Sequence, residues 1–205
     1  MYLYPVWLRL WHALNAVLII ILIITGISMQ YTDKEDSIFI VSFASAVKLH
    51  NITAIVLTIS YIFFVVMNIA TGNGKYYRLK RKNFFSDLVK QMRYYAYGMF
   101  KGEKHPFPVS MERKFNPLQK ITYVLTMYVG LPLIIISGLG LMFPEITVKK
   151  AFGVSGFILT DILHITTGFF LSLFLVVHIY TCTLGARPTS LFRGMLSGYH
   201  EPEED

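Results

Sequence analysis

At 205 residues, with 54% apolar and only 15% charged residues, the chain departs from the composition of a soluble domain and reads as a membrane protein. Its single cysteine, Cys182, excludes an intrachain disulfide, a Cys-x-x-Cys-His attachment site for c-type haem and a cysteine-ligated iron–sulfur cluster within the chain. The net charge of +7 is concentrated: twelve of nineteen basic residues fall between Lys75 and Lys120, against the acids Asp87, Glu103 and Glu112, a distribution that points to a membrane surface and away from nucleic acid.

Charge-free runs extend over residues 10–32, 49–74, 121–144 and 162–186, and each meets the length of about 20 residues that a bilayer core demands of a helix. They predict an all-α membrane protein: one domain over residues 1–205, a four-transmembrane-helix bundle with spans at about 7–31, 47–72, 117–143 and 160–184. The first run is too long for a signal-peptide core. Ile27-Ser28-Met29-Gln30 leads straight into Tyr31-Thr32-Asp33 without a small-residue cleavage site, so this span is expected to stay in the mature chain and to begin near Pro5. At its head Trp7 and Trp11 bracket Arg9, the pattern of an interface belt with a snorkelling cation. The acidic turn Asp33-Lys34-Glu35-Asp36 follows, and Ser37 to Ala46, too short to span, is expected to lie along the surface.

Between the second and third spans lies a basic loop, residues 75–115. The positive-inside rule assigns it to the cytoplasm, which puts the Asp33–Asp36 turn outside and both termini in the cytoplasm. Within it, Phe84 to Tyr95 mixes apolar and cationic residues as an interfacial helical segment does, with membrane lipid as its partner.

The six histidines are unevenly placed. His12 opens the first span, His50 opens the second, and His164 and His178 both lie in the fourth, whereas His105 in the loop and His200 in the acidic tail are expected to be solvent-exposed. An imidazole facing lipid is costly, so a histidine inside a span usually faces the bundle interior and marks a site or relay. The fourteen residues from His164 to His178 return to nearly the same helix face, with the rings roughly 21 Å apart. Gly168, Leu171 and Leu175 share that stripe, against which a flat apolar ring could lie. With helix directions alternating, the start of the first span and the end of the fourth lie on one side, which pairs His12 with His178 and His50 with His164. Two axial imidazoles from different helices clamping one porphyrin is the ligation of a b-type haem, and four histidines supply two haem b. Gly26 offers the first span a close approach to the His50 side, and Arg9 is a candidate partner for a haem propionate.

Arg9-Leu10-Trp11-His12 before the first span, His50 at the head of the second, Phe115-Asn116-Pro117-Leu118-Gln119-Lys120 before the third, and the His164/His178 pair resemble the di-haem cytochrome b subunits of respiratory formate dehydrogenases, nickel–iron hydrogenases and thiosulfate reductases. The resemblance covers all four spans. It implies a multi-pass anchor in a bacterial or archaeal cytoplasmic membrane that conducts electrons between a hydrophilic partner on the outer face, an iron–sulfur or multihaem cytochrome subunit, and the quinone pool. It implies further that menaquinone or ubiquinone meets Asn116, Gln119 and His178 near the cytoplasmic haem. The family has small residues between that Asn and Gln, where this chain has Pro117 and Leu118. The same residues also form a sound helix start: Asn116 as N-cap, Pro117 at the first helical position and Gln119 reaching back.

Two other classes compete with an electron-transfer subunit: a histidine-lined transporter and a haem-free assembly anchor. Against the first, no internal repeat is evident, and the charge-free runs hold no Asp or Glu.

Overall fold

The computed structural model describes residues 1–32, 40–79, 83–111, 113–185 and 187–200. The acidic Asp33–Asp36 turn, with Ser37 to Phe39, therefore lies outside the described residues.

Among the described residues four helical stretches are long and apolar enough to cross a membrane: Val6–Tyr31, Phe43–Ala70, Pro117–Met142 and Gly156–Cys182. Helix α1 (Val6–Tyr31) starts after Pro5, which sits at the N-cap in extended conformation. Helix α2 (Phe43–Ala70) begins earlier than the charge pattern indicated and absorbs the end of the segment expected along the surface. Lys48 enters its second turn, where a long aliphatic stem can carry the charge back to water.

Helix α3 (Phe84–Arg93) is the interfacial segment of the loop, with Phe85, Val89 and Met92 exposed and Gln91 buried. A chain rarely displays such apolar side chains to water on a short helix, whereas a bilayer surface accepts them. His105, expected in solvent, instead lies half-buried: its Nδ1 accepts from the Phe107 amide at 3.1 Å and its ring meets Tyr94 edge-on with centroids 4.8 Å apart. It is a structural residue of the loop. His200 is half-buried as well, since its backbone amide donates to Met1 at 2.8 Å and the Met1 amine donates back to its carbonyl at 2.9 Å.

The third span is not one uniform helix. Helix α4 (Pro117–Leu125) passes through a π-helical turn, Thr126–Gly130, into α5 (Leu131–Met142). Pro132 supplies the reason: it has no N–H, so in the wider i→i−5 register the Met127 carbonyl loses its intrahelical donor. The Tyr61 hydroxyl of α2 donates to that carbonyl at 2.9 Å, which satisfies the group inside the bilayer as its apolar surroundings require.

A short antiparallel hairpin, β1 (Lys150–Ala151) with β2 (Val154–Ser155), leads into α6 (Gly156–Cys182), and the amphipathic α7 (Ser190–Ser197) follows. The N-terminal segment pairs with the residues that follow α7: the Leu3 and Tyr4 amides donate to the Gly198 carbonyl, and Tyr2 bridges Tyr199.

The spans pack as two hairpins, α1 with α2 and α5 with α6. In the first, Trp11 donates its indole N–H to the Ser60 carbonyl at 3.0 Å and stacks on Phe64 with centroids 4.2 Å apart, while Asn15 donates to Ser60 Oγ at 2.7 Å. Trp11 is thus a buried bundle residue, unlike the interface role expected of it, and Trp7 alone stays half-exposed at the belt. Such cross-helix bonds in a membrane contribute about 0.6 kcal/mol each on average. Leu18, Leu57 and Leu131 form a cluster where the two hairpins meet, and Leu171 of α6 packs on it.

Candidate cofactor site

Among its described residues helix α6 buries Gly156 and Thr167, and it packs against α5 along one half-buried stripe that includes His164, Leu171 and His178. It brings both of its histidines to rings on the other hairpin. His178 faces His12 of α1 with ring centroids 6.1 Å apart, and His164 faces His50 of α2 with centroids 6.3 Å apart. Two metal–nitrogen bonds of about 2 Å each, plus about 1 Å from nitrogen to the centre of each ring, put opposed imidazoles on one metal roughly 6 Å apart. Both pairs have that separation. Leu171 and the leucine cluster lie between them along α6, so the pairs form two sites at two depths.

The His50/His164 site is built twice over from the same small motif. Thr25-Gly26 of α1 lies against His50, and Ser137-Gly138 of α5 lies against His164. Thr25 Oγ1 donates to the Ile21 carbonyl at 2.7 Å and sits 2.8 Å from His50 Nδ1. Ser137 Oγ donates to the Leu133 carbonyl at 2.7 Å and sits 3.0 Å from His164 Nδ1. With each hydroxyl proton directed to the carbonyl four residues back, the oxygen presents lone pairs to the ring. Nδ1 then carries the proton and donates it, and Nε2 keeps the lone pair that a metal takes. A Cβ on Gly138 would come within 3.0 Å of His164 Cε1, and one on Gly26 within 3.7 Å of His50 Cε1. Glycine is what lets α5 approach the ring so closely.

The His12/His178 site is walled by aromatic rings. Phe174 stacks on His178 with centroids 5.5 Å apart and 19° between planes, and Tyr123 of α4 meets it edge-on at 6.0 Å. His178 Nδ1 is buried without a hydrogen-bond partner, while Nε2 lies 3.9 Å from Cys182 Sγ. An orphaned buried nitrogen costs on the order of 1 to 3 kcal/mol unless something engages it. Among the described residues no group of three or more His, Cys, Asp or Glu converges as a bare metal ion would require. Facing imidazole pairs with apolar walls and glycine-relieved edges fit a haem, which takes its other four ligands from the porphyrin.

The remaining sequence candidates have defined places. Arg9 donates from Nη1 to the Leu196 carbonyl, latching α7 to the head of α1, and its Nε is buried without a partner. Asn116 and Gln119 form a closed capping box: Asn116 Oδ1 accepts from the Gln119 amide at 2.8 Å, and Gln119 Oε1 accepts from the Asn116 amide at 3.2 Å. Asn116 Nδ2 donates to the Tyr95 hydroxyl at 3.0 Å. The box does not use Gln119 Nε2, so a donor remains at the head of α4.

Four apolar spans around paired intramembrane histidines define a class, the multi-pass membrane cytochromes. The chain belongs to the prokaryotic cytochrome b561 family, which matches residues 3–198. A relative from Escherichia coli (strain K12), provisionally named cytochrome YdhU, is 34% identical over 199 residues, covering 97% of this chain and 74% of that protein. No solved structure matches. Family membership makes this a membrane haem b protein of transmembrane electron transfer.

Proposed function

We propose that the chain is a di-haem subunit: His12 and His178 hold one haem b, and His50 and His164 hold the second. The observation that carries this reading is the pair of imidazole separations, 6.1 and 6.3 Å, each made between helices of different hairpins and both on one face of α6. When bound, the haems supply one-electron relay between the two faces of the membrane. The protein's part is to hold the four rings, to exclude water with the leucine cluster and aromatic walls, and to fix the proton on Nδ1 of His50 and His164.

The basic loop, residues 75–115, faces the cytoplasm in this reading, with both termini on the same side. A hydrophilic iron–sulfur or multihaem cytochrome subunit meets the opposite face, and quinone, menaquinone or ubiquinone, reacts near His178. In support, Gln119 Nε2 is a donor beside that end of the bundle, and a quinone oxygen in an apolar pocket needs such a partner. Arg9 remains the nearest cation of α1 for a propionate, if α7 yields its carbonyl contact.

The test uses vesicles loaded with an oxidised acceptor and treated outside with a reductant that cannot cross lipid. Haem-loaded protein should reduce the trapped acceptor, and both His164→Ala and His178→Ala should stop the transfer. Transfer that persists in either variant, or none with the parent protein, would overturn the relay.

A further inference from the structure

At the basic end of the bundle, where α2 ends and α4 begins, a hollow of about 430 Å³ is lined by Lys75, Tyr76, Arg78, Met111, Arg113, Lys114 and Lys120. Five of these seven are cations and none is a carboxylate. Lys114 is only 9% exposed. Its ammonium sits 4.2 Å from the centre of the Tyr76 ring and 3.4 Å from Asn73 Oδ1, and Lys75 approaches the same ring at 5.0 Å. Two ammoniums gathered on one phenol repel each other, and burial together with Lys75 pushes the Lys114 pKa down. Dipoles and a ring face solvate these charges in part, whereas a bound anion would neutralise them.

A second hollow shares Lys75, Tyr76 and Lys114 and continues to Pro5 and Trp7 at the head of α1. The cations therefore sit at one end of a groove whose other end reaches the apolar belt. A free ion would use only the first part, and an amphiphile would use both.

We propose that this groove binds the phosphate headgroup of an anionic phospholipid, with Lys75 and Lys114 as its principal contacts and the glycerol and chains directed towards Trp7. Arg113 is held at the rim before any lipid arrives, because its guanidinium donates to the Pro108 carbonyl at 3.0 Å and stands over the Phe107 ring.

Native mass spectrometry of the haem-loaded protein in mild detergent tests this, with phosphatidylglycerol, phosphatidylcholine and inorganic phosphate as probes. Phosphatidylglycerol should be retained in preference to phosphatidylcholine, and millimolar inorganic phosphate should not displace it. Lys75→Gln with Lys114→Gln should weaken retention roughly fivefold for each cation removed. Lys101→Gln with Lys104→Gln, which removes two cations of the same loop outside both the hollow and α3, should leave retention unchanged. The haem spectrum reports folding, and Lys75→Gln alone serves if the double variant loses it. Equal retention of both lipids would remove charge from the recognition and overturn the proposal, and equal loss in the control pair would reduce the site to general surface charge. Displacement by inorganic phosphate would overturn the lipid as occupant.

Discussion

The two histidine pairs have the same ligand chemistry and nearly the same ring separation, yet their surroundings differ. At His50/His164 each Nδ1 meets a hydroxyl whose own proton is directed elsewhere, and a glycine clears the edge of each ring. At His12/His178 the walls are Phe174 and Tyr123, and the His178 Nδ1 has no hydrogen-bond partner. A hydrogen bond to the outer nitrogen fixes tautomer and orientation and raises the basicity of the ligating nitrogen. In the proposed di-haem reading the first site therefore offers the more basic ligands, and the second, on the side proposed for quinone, leaves the His178 Nδ1 without a fixed partner. One helix, α6, therefore presents two identical residues to unlike environments.

The largest effect that would break this comparison comes from Gly138. In Gly138→Val the side chain must occupy space already 3.0 Å from His164 Cε1, so haem at that pair should be lost while the other site keeps its haem. Haem content by reduced absorbance reads this directly, and retention of both haems would remove the glycine from the account. Next comes removal of the hydroxyls. Thr25→Val with Ser137→Ala should weaken haem retention at the same pair by about 10- to 100-fold and raise its reduction potential, because the ligand becomes less basic. A redox titration in which only the other haem moves would reverse the assignment.

Gln119→Leu sharpens the comparison from the other side. It keeps the Asn116 cap on the Gln119 backbone but removes the donor at Nε2, and the loss of one hydrogen bond of about 1 kcal/mol should slow quinone turnover roughly fivefold. Both haem spectra should stay intact. Unchanged turnover would leave Gln119 as a capping residue only. The smallest effect is structural: Tyr61→Phe strips the partner from the Met127 carbonyl at the π turn and should lower thermal stability by about 0.6 kcal/mol with both haems present.

Much of this was legible in the sequence because the bilayer makes strong demands. Charge-free length gave the spans, alternating direction gave the His12/His178 and His50/His164 pairing, and Asn116-Pro117-x-Gln119 gave the cap. Other features needed coordinates. Trp11 reads as a belt residue by position, but its contact with Ser60 depends on the rotation of α1 against α2, which apolar runs on all sides do not encode. The π turn follows from Pro132 only once a neighbouring hydroxyl is known to reach the carbonyl it strands. Thr25 and Ser137 left a signal that reading by residue type passed over: a hydroxyl followed by glycine, Thr25-Gly26 and Ser137-Gly138, each on the helix preceding a histidine helix.

The central claim is that four histidines make two independent sites, and haem-to-chain stoichiometry across a set of variants tests it most directly. The parent protein should carry two haem b per chain, His164→Ala and His178→Ala one each with different residual potentials, and the double variant none. One haem in the parent protein, or two after loss of either α6 histidine, would contradict it.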